Sequence, residues 1–119
     1  MNHKESTLQT HCVTWMRLAF PEFNKLFFSV PNGGQRNATT ARIMKAEGVV
    51  AGVSDLILLV PALGYHGLCI EMKTDKGRQS DHQREFQEAV EAYKYKYVIC
   101  RSVEDFQREI TEYLKIDLR

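Results

Sequence analysis

Two apolar runs, Ser54-Asp55-Leu56-Ile57-Leu58-Leu59-Val60 and Leu68-Cys69-Ile70-Glu71-Met72-Lys73, constrain this chain more than any other feature. Each has the length and aliphatic content of a strand, and the segment from Pro61 to Gly67 carries turn residues, so the two predict a hairpin. Helical patterns surround them. Leu8, Cys12, Trp15, Met16 and Ala19 recur at helical spacing between Ser6 and Ala19, and Pro21 ends that helix. Lys25 to Val30 reads as a strand interrupted by Pro31-Asn32-Gly33-Gly34. Thr39 to Glu47 has helix-forming content, with Gly48 placed to close it. Ser80-Asp81-His82-Gln83 opens a helix whose stripe is Phe86, Ala89, Val90 and Tyr93. Tyr97 to Cys100 is a short buried strand, and Ser102-Val103-Glu104-Asp105 opens a last helix with Phe106, Ile110, Tyr113 and Leu114 facing in. The order α β α β β α β α predicts an α/β fold, a mixed central β-sheet flanked by helices. With 119 residues, 44% of them hydrophobic, one core can close, so residues 1–119 are expected to form a single domain.

Both hairpin strands carry charge where apolar pattern should continue: Asp55 at one start, Glu71 and Lys73 near the other end. Residues two apart in a strand share a face, so Glu71 and Lys73 project together while Met72 enters the opposite layer. If the hairpin brings Asp55 beside them, two carboxylates and an amine converge. Hard oxygen ligands, completed by water and substrate phosphate, suit Mg²⁺, which seldom uses an all-protein cage. A lysine there can orient an attacking water or offset charge developing on a phosphate.

Composition excludes several other classes. The net charge of +1 is too small for nucleic-acid binding by electrostatics alone, although basic residues are dense from Arg36 to Lys45 and from Lys73 to Arg84. The three cysteines, Cys12, Cys69 and Cys100, are far apart and lie among apolar residues, as small buried hydrophobes rather than disulfides or zinc ligands. No apolar run reaches the roughly 18 residues of a membrane span, and the N-terminus lacks a signal-peptide stretch. A soluble protein of the cytoplasm, in a bacterial or phage-infected cell, is expected.

An Asp followed by Glu-X-Lys on the next strand is the signature of the PD-(D/E)XK nuclease superfamily, which this chain resembles. Its surroundings, Pro31-Asn32-Gly33-Gly34-Gln35-Arg36, Gly48-Val49-Val50-Ala51-Gly52-Val53-Ser54-Asp55-Leu56 and Glu71-Met72-Lys73-Thr74-Asp75-Lys76-Gly77-Arg78-Gln79-Ser80-Asp81-His82-Gln83, resemble the virus-type replication-repair nuclease (VRR-NUC) domain in the minimal form often found in phages. The resemblance runs from Glu5 to the last helix. It implies that Asp55 and Glu71 are metal ligands together with the Met72 backbone carbonyl, for Mg²⁺ or Mn²⁺, and that Lys73 is the catalytic lysine. Gln83 matches the family's glutamine after the third motif, and Glu5 and Gln9 match a pair on its first helix, Glu5 being a further candidate ligand. Ser54 departs from the family's usual proline. The resemblance further implies a metal-dependent endonuclease that leaves a 5′-phosphate, acting as a homodimer on branched DNA such as four-way (Holliday) junctions.

Plainer roles stand beside these. An isolated Glu-X-Lys is usually an ion pair on a solvated sheet face, and Asp55 could cap a turn. Glu5 could complement the helix dipole, and Gln83 could belong to a capping box with Ser80. Lys76 and Arg78 could hold DNA phosphates or be solvated, and Asn32, Gly33, Gly34, Gln35 and Arg36 could clamp a DNA backbone or form a plain turn. Tyr93, Tyr95 and Tyr97 suit strand entry and packing. The alternative from another class is a catalytically silent nuclease fold that binds DNA or a protein partner.

Overall fold

A computed structural model of the chain describes residues 2–31 and 37–115. The first helix, α1 (His3–Ala19), begins three residues ahead of the expected start at Ser6 because the Asn2 side chain caps it, accepting from the Glu5 N–H at 2.8 Å. Phe20 closes α1, and Pro21 starts a 3₁₀ turn, Pro21–Phe23, that no periodicity announced. Strand β1 (Phe27–Ser29) follows, then α2 (Ala38–Ala46), β2 (Leu56–Leu58), β3 (Leu68–Met72), α3 (Asp81–Ala92), β4 (Lys96–Cys100) and α4 (Val103–Leu114).

The strands form one sheet in the order β1-β2-β3-β4. β2 and β3 are the antiparallel hairpin, with Leu56 opposite Ile70 and Leu58 opposite Leu68. β1 pairs antiparallel along β2, and β4 pairs parallel to β3 after the crossover through α3. β2 spans fewer residues than its apolar run. At its start the Asp55 side chain, not another backbone carbonyl, takes the Met72 N–H.

Period-two alternation sorts the sheet into two faces. Phe27, Leu56, Leu58, Leu68, Ile70, Met72 and Cys100 turn to one side, where Cys12, Met16, Phe20, Phe106, Ile110 and Tyr113 meet them from α1, its end and α4. Each fully buried large apolar side chain contributes about 1.5–3 kcal/mol. Trp15 meets Phe20 and Phe106 edge-on, with centroids 5.8 and 6.0 Å away, and locks α1 against α4. The Tyr113 hydroxyl donates to the Val60 carbonyl at 2.6 Å. All three cysteines are buried and free.

The other face carries Cys69, Glu71 and Tyr97 and is covered by α3, which touches it more lightly. Phe86 of α3 meets Tyr97 at 6.4 Å between rings, but no α3 side chain is fully buried. The expected stripe therefore fails at its end: Tyr93 is 76% exposed. Tyr93 is the C-cap residue of α3, one position past the helix that ends at Ala92. α2 likewise buries no side chain; Asn37 caps its start, and Gly48, at φ +103°, closes it with Gly48 N–H to Lys45 carbonyl and Val49 N–H to Met44 carbonyl bonds, each 3.0 Å. Among the described residues no helix is long and apolar enough to cross a membrane.

Candidate active site

The thinly covered face opens into a cleft of about 660 Å³ at the end of the hairpin. Asp55, Glu71, Lys73, Gln83, Glu5 and Gln9 all line it, together with Ser29, Val30, Pro31, Gly52, Val53, Ser80 and His82. Separate elements supply these side chains, and the sheet register explains the central pair. One residue beyond the Leu56–Ile70 pairing, Asp55 stands opposite Glu71 on the same face. The Met72 N–H donates to Asp55 Oδ2 at 2.7 Å and fixes that carboxylate.

Glu71 is 1% exposed and Lys73 8%, so they are not a solvated surface pair. Lys73 Nζ lies 3.9 Å from Glu71 Oε2. Both Glu71 oxygens are held by protein donors: the Tyr97 hydroxyl donates to Oε1 at 3.1 Å and Gln83 Nε2 donates to Oε2 at 2.9 Å. Burial first, then the hydrogen bond and charge of the neighbouring Asp55 carboxyl, push Glu71 up from 4.5 to about 8; Lys73 and the Tyr97 hydroxyl oppose that rise and only limit it. Burial also pushes the Tyr97 hydroxyl up, so it remains a donor.

Gln83 reconciles its two roles in one geometry. Its Oε1 accepts from the Ser80 N–H at 2.8 Å while the Gln83 N–H donates to Ser80 Oγ at 3.2 Å, a complete capping box. That box leaves Nε2 free to reach Glu71. The loop carrying Asp55 is seated against the same helix turn, since Gly52, at φ +85°, lies so close that a Cβ there would fall 2.4 Å from the His82 backbone carbonyl. Ser54, in the position where the family usually has proline, is wholly buried and donates to the Leu56 carbonyl at 3.2 Å.

On the opposite wall Glu5 reaches the turn after β3, where a Cβ on Gly77 would lie 3.5 Å from Glu5 Oε2 and 3.3 Å from Lys73 Cδ. Gln9, one helical turn further along, has a buried Oε1 without a hydrogen-bond partner. Lys76 on the turn and Arg78 just after it are both exposed and do not line the cleft. Asn32, Gly33, Gly34, Gln35 and Arg36 lie outside the described residues, although Pro31 beside them lines the cleft.

Tyr97 was missed by pattern alone. A tyrosine in an alternating Tyr93-Tyr95-Tyr97 series looks like packing, and only the parallel register of β4 against β3 puts it behind Glu71. Gln79 escaped notice too; its Nε2 donates to the Tyr97 oxygen at 3.2 Å and to Gln87 Oε1 at 2.7 Å, bracing the tyrosine.

Among the described residues no three His, Cys, Asp or Glu side chains assemble into a metal cage. The donor set still fits a hard divalent cation. Two carboxylates that repel when both are ionised and an unpartnered amide oxygen on the same cleft suit an ion that takes its remaining ligands from water and phosphate.

Comparison with known proteins agrees with this architecture. The VRR-NUC domain model matches residues 1–104. A solved structure named VRR_NUC domain protein superposes with a TM-score of 0.83 at 24% identity, over 98% of this chain and 92% of that one, a likeness of fold. No curated protein matches the chain.

Proposed function

The chain belongs to the VRR-NUC nuclease-domain family, and from that membership we propose that it is a divalent-metal-dependent endonuclease hydrolysing DNA phosphodiester bonds at the Asp55–Glu71–Lys73 cleft. The observation that carries this is the convergence, on one sheet face, of two carboxyls standing opposite each other across the hairpin, with a lysine ammonium 3.9 Å from one of them. The preferred substrate we propose is branched DNA, cut by a homodimer whose two-fold axis would relate two cleavage sites.

Asp55, Glu71 and the Met72 carbonyl would hold Mg²⁺ or Mn²⁺, with Glu5 the candidate for a further ligand. The cation's contribution there is Lewis-acid stabilisation of charge on the scissile phosphate. The protein's own residues do the rest. The Met72 N–H aims Asp55, and Tyr97 with Gln83 fixes both oxygens of Glu71, so neither carboxylate reorganises when substrate arrives. Lys73, nearly dry, can donate to the attacking water or a non-bridging phosphate oxygen, where exclusion of solvent strengthens its effect. Water forms the new P–O bond in line with the P–O3′ bond that breaks, and the products are a 5′-phosphate and a 3′-hydroxyl that takes up a proton.

The test is cleavage of a labelled four-way junction beside a linear duplex of the same sequence. Symmetric nicks that need Mg²⁺ or Mn²⁺, vanish in EDTA and fall about 10²–10³-fold in Lys73→Ala are expected. A protein that binds the junction but cuts nothing in any metal would instead be a silent nuclease fold.

Tyr97→Phe isolates the support behind Glu71. Groups that orient a metal ligand typically contribute about 10–100-fold to affinity, so Mn²⁺ binding followed by calorimetry should weaken about tenfold. Cleavage should recover as Mn²⁺ is raised; a loss that persists at saturating metal would mean that Tyr97 acts on the reacting groups directly.

A further inference from the structure

One arginine beside the cleft is committed to backbone. β4 ends at Cys100, and the next residue, Arg101, sends Nη1 back to the turn that follows β3. There it donates to the Thr74 carbonyl at 2.7 Å, the Gly77 carbonyl at 2.9 Å and, more weakly, the Asp75 carbonyl at 3.4 Å. Nη1 has two hydrogens, so the two short bonds are full and the third is shared. The Arg101 N–H donates to Asp105 Oδ2 at 3.0 Å, which ties the residue to the first turn of α4. Among the described residues the ion pairs are Lys73–Glu71, Arg84–Asp81 and Arg108–Asp105, none of which neutralises this guanidinium. Three carbonyl dipoles take up Nη1 and leave the charge of the guanidinium in place.

The turn it grips follows directly on Lys73, which lines the cleft. Gly77 packs over the Lys73 side chain and against Glu5, and Lys76 and Arg78 stand on either side of Gly77. A short turn left to itself would sample many conformations, and ordering it on a ligand costs free energy that reduces affinity. Bonds from one rigid side chain to both ends of the turn remove most of that cost in advance.

We propose that Arg101 is a positioning residue that pre-forms the Thr74–Gly77 turn as a phosphate-binding rim, so that Lys76 and Arg78 meet the DNA backbone entering the cleft. This rests on the nuclease function proposed above. Arg101 acts through the turn, with its own Nη1 spent on carbonyls.

The experiment is binding of a labelled four-way junction in EDTA, by fluorescence anisotropy over a range of salt, for four proteins: wild type, Lys76→Ala/Arg78→Ala, Arg101→Gln and the triple variant. Each phosphate contact contributes about 0.9 to the slope of log K against log salt, so the alanine pair should reduce that slope by about two. Arg101→Gln should lose most of the same increment, and the triple variant no more. Arg101→Lys keeps the charge but not the fork, should fall between, and replaces the glutamine variant if that does not fold. Additive losses would show that Arg101 touches phosphate itself. A lower melting temperature with an unchanged slope would make Arg101 purely structural. An unchanged slope in the alanine pair would take the turn off the DNA while cleavage activity stands. Each of these three overturns the proposal, and a wild type that neither binds nor cuts DNA overturns the nuclease function with it.

Discussion

Glu71→Gln is expected to lower cleavage about a thousandfold or more and, at the same time, to raise the melting temperature of the metal-free protein at pH 8. The first effect follows from the proposed function, in which Glu71 would be a charged ligand of the catalytic cation. The second follows from the proton. The unfolded chain releases it near 4.5 and the folded chain only near 8. Glu71 therefore contributes stability that is full below 4.5 and is lost as the pH rises through 8. Each unit between the two values corresponds to about 1.4 kcal/mol, so the loss is on the order of a few kcal/mol.

Glutamine has the shape of the protonated acid and no charge to lose. Its amide oxygen can accept from Gln83 Nε2, and its NH₂ stands beside the Tyr97 oxygen, to which it can donate. Thermal melts in EDTA should show Glu71→Gln above wild type by on the order of 10 °C at pH 8, with the gap closing by about pH 5. Added Mg²⁺ should then raise only the wild type. Parallel pH curves for the two proteins would mean that Glu71 is already ionised in the metal-free cleft.

Gly52→Ala should be the most damaging glycine-to-alanine substitution among the described residues. Its Cβ would fall 2.4 Å from the His82 carbonyl carbon and oxygen and 2.8 Å from the Gln83 nitrogen, and the backbone there, at φ +85°, disfavours any side chain. Those neighbours are helix backbone in a capped first turn and cannot rotate aside. Overpacking and conformational strain together amount to about 3 kcal/mol or more, a fall in melting temperature on the order of 10 °C. Cleavage should drop as well, because the contact joins the loop that carries Asp55 to the turn that carries Gln83. Gly48→Ala is the control: φ is +103° but nothing lies within 4 Å, so it should cost only about 1 kcal/mol and leave cleavage intact. A Gly52→Ala protein that melts and cuts like wild type would rule out this tight seating.

The meeting of Asp55 with Glu71 was legible in the chain because a hairpin is local. Two apolar runs joined by a short turn can pair in few registers, and a slip by one would turn Leu56, Leu58 and Ile70 out of the core. Lys73 and Met72 were sorted to opposite faces by the same period. The caps of α3 and α4 were legible for a similar reason, since Ser80 and Ser102 act within three residues of themselves. Gln83 showed only half its function, the half made with Ser80. Its bond to Glu71 spans helix and sheet.

The sequence by itself therefore determined the order of elements, the hairpin, which side of it is apolar and which charged residues interrupt it, because periodicity and short-range pairing are written into neighbouring residues. Only the tertiary structure decided that β4 lies parallel to β3 and places Tyr97 behind Glu71, that Gly52 rests on the start of α3, and that Arg101 grips the turn after Lys73. It also decided that α3 leaves Tyr93 in solvent in spite of its stripe. These contacts join residues far apart in the chain, 26 positions for Tyr97 and Glu71 and 27 for Arg101 and Thr74, and no local pattern encodes them. They are set by how α1, α3 and α4 pack on the two faces of one sheet, where burial of apolar area and satisfaction of buried polar atoms are settled for all the elements together.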